Sequence, residues 1–175
     1  MTTILLTEDM IGWDDQLTFG DQKHACSFEK VFVDANGVWA FAGSPSNALR
    51  AIKGIVAGEF FTEIPGLMES AVGGENPFEI FRMWEGLDGE RHIRYWSEDN
   101  IYGFTPPLPM ALGTGSSFVL GAYYGAERNV TVAMKLAVEH DAYSGGEVHV
   151  DSTLAMWDKH LLAKKRRKEA ALSTE

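Results

Sequence analysis

The sequence predicts an α+β domain built from stacked layers, and three observations predict it. The expected helices come in groups instead of alternating with single strands: strands, a helix, a weaker helix, strands, two helices, a strand and a last helix. The strands come as hairpins, with Asn36-Gly37 between two β-rich runs as the strongest turn signal. The chain has 175 residues, 45% hydrophobic and 23% charged, which suits one core and one domain spanning residues 1–175.

Thr3 to Thr7 (TILLT) reads as a short strand, with a tight turn near Asp9. IGWDDQLTF reads as a second strand, so the first element is a hairpin, and the chain after Gly20 is polar. FEKVFVDANGVWAFAG is the Asn36-Gly37 hairpin. Ser44 then offers a capping hydroxyl, and Pro45 stands at the first helical position. Ala48, Leu49, Ile52, Ile55 and Val56 recur at helical spacing, and Gly58 can end that helix. Phe60 to Gly74 carries no readable element, and NPFEIFRMWEGL is expected to be a short helical turn leading into a strand. From Met83 to Phe104, aromatic and β-branched residues broken by LDGE and SEDN read as two or three strands.

The prolines of TPPLPM force extended chain, and Gly113 and Gly115 bracket a turn. Ser116 or Ser117 can cap a helix through Tyr124. Asn129 or Thr131 can cap another, carrying Val132, Leu136, Ala137 and His140 and ended by Ser144-Gly145-Gly146. GEVHVDST alternates as a strand does, and a charged C-terminal helix is expected at about residues 154–175, helical from Leu154 to Lys168.

Bulk properties narrow the function. No apolar run approaches the ~20 residues of a membrane helix. The N-terminus lacks the basic and apolar regions of a secretory signal. One cysteine, Cys26, precludes an internal disulfide framework, so a cytoplasmic location is expected. A net charge of -10 argues against general nucleic-acid binding. The run KKRRK, Lys164 to Lys168, reads as the solvated end of a helix whose dipole favours cations. The five histidines, at 24, 92, 140, 149 and 160, make no metal motif, so neither metal nor cofactor is expected.

What remains is a set of hydroxyls, acids and one lysine at turn positions. Thr2 and Thr3 stand at the start, Asp14 and Asp15 lie on the second strand, and Lys30 precedes the Asn-Gly hairpin. Thr114, Asp141 and Ser144 sit at the two ends of the helical pair. Each residue singly has a bland account as surface or helix-end polarity.

As an ordered set they resemble the proteasome β-subunit family, including the HslV-type bacterial peptidase. TTI follows the first methionine, and WDDQLTFG resembles the family's G-D-x-Q-x-T-x-G strand. FEKVF and FAGSPSNA are similar to its lysine strand and its A-G-x-x-x-[DN]-A helix start. ALGTGSSFVLGAYYG, VTVAMKLAV and DAYSGGEVHV resemble its G-S-G-S run, helix and D-x-x-S-G-G run, in order and spacing. The likeness spans most of the chain and is weakest from about Phe60 to Pro109.

The resemblance implies a four-layer αββα sandwich of the N-terminal nucleophile (Ntn) hydrolase type and a threonine peptidase. Thr2, exposed by removal of Met1, would be nucleophile and base at once. Asp14 would position Lys30, and Lys30 would polarise Thr2; Asp15 stays open as the lysine's partner, because the first hairpin is shorter than the family norm. Gly43 would supply the oxyanion N–H. Thr114 (where the family usually has serine), Asp141 and Ser144 would surround the amine. Thr18, Phe41 and Pro45 would line the substrate groove, with Phe41 favouring small or medium apolar side chains. The implied partners are a peptide or unfolded-protein substrate, further copies in a homo-oligomeric ring, and an ATPase unfoldase. The alternatives are a small-molecule Ntn amidase, or a non-catalytic assembly subunit that keeps Met1.

Overall fold

The computed structural model of the chain describes residues 2–19, 22–25, 29–59, 63, 64, 66, 67, 77–142 and 144–173, with backbone alone for 17–19 and 22–25. Met1 and most of the stretch from Phe60 to Gly74 lie outside the described residues. The element order is β1 (Thr3–Leu6), β2 (Met10–Asp14), β3 (Gln16–Phe19), β4 (Gln22–Ala25), β5 (Val31–Asp34), β6 (Gly37–Gly43), α1 (Pro45–Ala57), β7 (Phe78–Glu85), β8 (Arg91–Ser97) and β9 (Asn100–Phe104). Then follow β10 (Met110–Gly113), α2 (Ser116–Gly125), α3 (Val130–His140), β11 (Val148–Ser152) and α4 (Thr153–Leu172).

Two antiparallel sheets carry the fold. One has the order β10-β1-β2-β11, the other β5-β6-β7-β8-β9, and β3-β4 forms a separate hairpin. Strand periodicity sorts the side chains of β1 into two layers. Ile4 and Leu6 join Ile11, Ala40, Ala42, Phe81 and Leu112 in a core between the sheets. Leu5 points the other way and packs with Val119, Val130, Ala133 and Met134 of α2 and α3. On the outer face of the second sheet, Trp39, Phe41, Phe78 and Ile80 pack under Ala48, Ala51 and Ile52 of α1. The result is an α+β sandwich with helices on both outer faces. Each fully buried apolar side chain stabilises it by about 1.5–3 kcal/mol.

The Asn36-Gly37 hairpin forms with Asp34 opposite Gly37. Helix α1 starts on Ser44, whose side chain accepts from the Asn47 amide, has Pro45 in its first turn, and ends on a left-handed Gly58. Other expectations are corrected. The second strand breaks at Asp15, whose amide goes to the Glu147 carbonyl, and β3 leaves to pair with β4 in a segment read as plain polar chain. PFEIF is strand, because β7 lies between β6 and β8 and buries Phe78, Ile80, Phe81 and Met83; such an apolar run cannot be told from a helix by pattern. Gly115, not a serine side chain, caps α2. Helix α3 starts on Asn129 and ends at His140, with Asp141 as its cap, so Ser144-Gly145-Gly146 belongs to the next loop. Helix α4 continues to Leu172, which places KKRRK inside it and not at its end.

Helix α4 touches both sheets. Met156 enters the core between them, and Ser152 caps the helix at the end of β11. His160 binds the Asp34 carbonyl through Nδ1, and its Nε2 accepts from the Glu85 amide. Lys164 pairs with Glu85 at 2.5 Å. Among the described residues no helix is long and apolar enough to cross a membrane.

Candidate active site

The polar residues gather at the end of the sandwich where β1 begins and β2, β6 and β10 terminate. Asp14, the last residue of β2, is 0% exposed. Its Oδ1 accepts from the Thr3 amide at 3.0 Å and from Lys30 Nζ at 2.9 Å, and its Oδ2 accepts from the Gly145 amide at 3.0 Å. Lys30 is 1% exposed and also donates to the Gln16 carbonyl. Burial pushes the Asp14 carboxyl above its usual 3.8, while the Lys30 ammonium and then the two amides pull it down. Asp14 is therefore the lysine's partner. Asp15 instead accepts from the Glu147 amide at 2.8 Å and lies 3.8 Å from His149.

A chain of oxygens runs beside this pair. Thr3 Oγ1 is hydrogen-bonded to Ser144 Oγ. Ser144 donates to Asp141 Oδ2 at 2.5 Å, and Thr114 donates to the same oxygen at 3.3 Å. Thr114, Asp141 and Ser144 thus come together as expected from the sequence. Thr3, named beside Thr2 in the sequence set but given no role there, is a member too. Its signal was the threonine doublet: on a strand, two successive hydroxyls must face opposite sides.

They do. Thr3 shares the helical side with Leu5, while Thr2 lines a cavity of about 140 Å³ together with Ala42, Gly43 and Thr114. Thr2 is 3% exposed. Two glycines make this closeness possible. Gly113 has φ +87°, and a Cβ there would stand 1.7 Å from the Thr2 carbonyl oxygen. A Cβ on Gly115 would stand 2.0 Å from Thr3 Oγ1. The motif GTG is thus a steric requirement of the strand end, beyond the turn its sequence suggested.

The three groove residues are placed separately. Thr18 lies on β3 opposite Lys23, with its side chain outside the described residues. Pro45 is half-buried at the start of α1. Phe41 is 2% exposed in the core beneath α1. Two further groups carried no sequence signal: the Gly145 amide on Asp14, and Glu79, whose Oε2 accepts from the Gly113 amide at 2.6 Å.

In chemical terms the arrangement places a lysine ammonium, an acid–hydroxyl chain and a glycine strand end around the start of β1, where Thr2 and Thr3 are both buried. Such a set can polarise a hydroxyl and hold a proton in transit. Among the described residues, Asp15, Glu147 and His149 also offer metal-ligand atoms within 4.8 Å of one another.

Neither a family model nor a curated protein matches the sequence. Solved structures do share the fold. Thiobacillus denitrificans BPH in complex with epoxomicin matches with a TM-score of 0.55 at 17% identity, over 87% of this chain and 97% of that one. A second structure of Thiobacillus denitrificans BPH matches with a TM-score of 0.51 at 17% identity, over 87% and 96%. This chain is similar to that protein in fold.

Proposed function

We propose that the chain is a threonine peptidase of the proteasome β-subunit type, with the Ntn-hydrolase form of the sandwich and Thr2 as nucleophile once Met1 is removed. One observation carries the reading: the buried Lys30–Asp14 pair and the Thr3–Ser144–Asp141–Thr114 chain converge on the end of β1 where Thr2 lines a cavity. The fold likeness supports it, since one matching structure holds epoxomicin, a proteasome inhibitor.

The chemistry follows from these positions. The Thr2 hydroxyl oxygen attacks the peptide carbonyl carbon, and its proton passes to the residue's own α-amine. That amine has an ordinary pKa of about 8, and a nearby lysine ammonium lowers it. Asp14 keeps Lys30 charged and in place. The Gly43 amide faces the developing oxyanion. The carbon–nitrogen bond then breaks, the leaving amine takes the proton, and an ester remains on Thr2 until water, deprotonated by the α-amine, hydrolyses it. Thr18 and Pro45 line the groove for the acyl side of the substrate, and Phe41, packed beneath α1, gives it an apolar backing. The substrate is a peptide or unfolded protein. The working form is a homo-oligomeric ring fed by an ATPase unfoldase in the cytoplasm, with no cofactor.

Intact-mass spectrometry with and without a peptide epoxyketone tests this, because the reagent needs a hydroxyl and a free α-amine on one residue. The expected result is loss of the Met1 mass and a single adduct, absent from Thr2→Ala. Retained Met1 with no adduct overturns the proposal in favour of a non-catalytic subunit.

A further inference from the structure

The cavity beside Thr2 has two carboxylates in its wall, Glu79 and Glu98. Both hang from the same end of the second sheet. Glu79 on β7 pairs with Ala42 on one side and Ser97 on the other, and Glu98 follows Ser97. Both are half-buried. Their hydrogen-bond partners are neutral. Glu79 accepts from the Gly113 amide at 2.6 Å and the Tyr95 hydroxyl at 2.8 Å, and Glu98 accepts from the Phe78 amide at 3.1 Å. Among the described residues that line the cavity there is no lysine, arginine or histidine, and neither glutamate is in an ion pair with another described residue.

The nearest cations along the chain are engaged elsewhere: Arg82 donates to the Asn36 carbonyl, and Arg94 lines a different cavity with Trp84 and Tyr102. From Gly54 to Phe81 the chain has Glu59, Glu63, Glu69, Glu75 and Glu79 but no lysine or arginine. Taking carboxylates out of water is costly unless an opposite charge arrives, and a bound cation regains that cost through charge-assisted hydrogen bonds. The cavity is about 140 Å³. That is roughly ten times the ~10–15 Å³ one water needs, so it holds a side chain as well as solvent.

We propose that Glu79 and Glu98 make this cavity a recognition pocket for a cationic side chain, so that the site selects peptides with lysine or arginine within one residue of the cleaved bond. The inference rests on the peptidase reading of Thr2 and names its substrate class. Glu98 is the main contact, and Glu79 shares the cation while holding the Gly113 strand end.

The test uses binding and turnover side by side on the full chain. N-acetyl-lysine N-methylamide and its uncharged isostere N-acetyl-norleucine N-methylamide are titrated into the protein by NMR. The lysine compound should bind about tenfold more tightly, the scale of a charge-assisted contact, and the ratio should collapse toward one in Glu98→Gln and fall in Glu79→Gln. Equal binding, tighter norleucine binding, or a lysine preference that survives both variants overturns the proposal. A peptide panel with lysine, norleucine or glutamate on either side of the scissile bond runs in parallel. Hydrolysis without cation preference overturns the pocket and leaves the peptidase reading standing. Lysine-selective binding with neither hydrolysis nor epoxyketone adduct does the reverse.

Discussion

Two regions of this molecule bury charge, and they do so differently. At the far end of the β5–β6 hairpin, Asp34 accepts from the Asn36 and Gly37 amides and from Trp39 Nε1. Arg82 donates twice to the Asn36 carbonyl and lies over the Trp39 and Trp84 rings at 4.8 and 4.6 Å. His160 and Arg167 of α4 close that cluster from outside. At the near end, Asp14, Lys30, Thr3 and Ser144 come from four separate segments, and their network flanks a cavity. The hairpin cluster satisfies itself around one turn and fastens α4 to the sheet. The near-end cluster spends its hydrogen bonds on holding positions around a space. A buried charge by itself therefore says little; what distinguishes a site is a network assembled from distant segments around room for a substrate.

The sharpest way to break the comparison is to remove one charge from each region. Lys30→Met leaves Asp14 buried without its ammonium. It should cost about 3–5 kcal/mol of stability and abolish epoxyketone labelling, as read by denaturant unfolding and intact mass. Asp34→Ala removes an acceptor from a turn and should cost about 1–3 kcal/mol, with the folded protein still labelled. Equal losses of labelling would erase the distinction drawn above.

Gly113→Ala tests the near end without touching a charge. The added carbon collides with the Thr2 carbonyl, so kcat/KM should fall about 10²-fold if Thr2 is the nucleophile as proposed, because that residue is misplaced. The pH–rate profile sharpens the comparison further. Burial raises the Asp14 pKa, and protonation removes the charge that holds Lys30. Below the limb set by the α-amine, a further fall in rate should therefore lie above the usual 3.8 of an aspartate and be absent from any active Asp14→Asn protein. The sign for stability is opposite: a raised carboxyl pKa favours the folded state below 3.8, and that share is lost as pH rises through the folded value. The smallest expected effect belongs to the hairpin. Burial lowers the Arg82 pKa to about 10, against the pull of Asp34. Arg82→Lys loses its paired donation and ring stacking, costing about 1 kcal/mol in thermal unfolding with labelling unchanged.

The same contrast explains what could be read from the sequence. Asp34-Ala-Asn-Gly is local, so its turn was legible from four letters, as were the Ser44-Pro45 start and Gly58 end of α1. The near-end cluster is not local. Asp14 and Lys30 each look like surface residues until the strands bring them together, and only their order as a set pointed to a site. Strand β7 was unreadable because burial on both faces removes the alternation that marks a strand. Thr3 was given no role and Glu79 was passed over because their roles depend on which way a strand end faces, and an isolated glutamate among apolar residues gives no sign of a cavity.

The opposed faces of Thr2 and Thr3 have a practical consequence for anyone preparing this protein. If an aminopeptidase trims one residue too many, the new first residue is still threonine. Edman chemistry at the first cycle would read the same letter for both species. Yet in the over-trimmed form the hydroxyl is turned toward Ser144 and away from the cavity. With Thr2 as the proposed nucleophile, such a batch would pass a check of its first residue and be inert, and only its mass, short by one threonine, would reveal the fault.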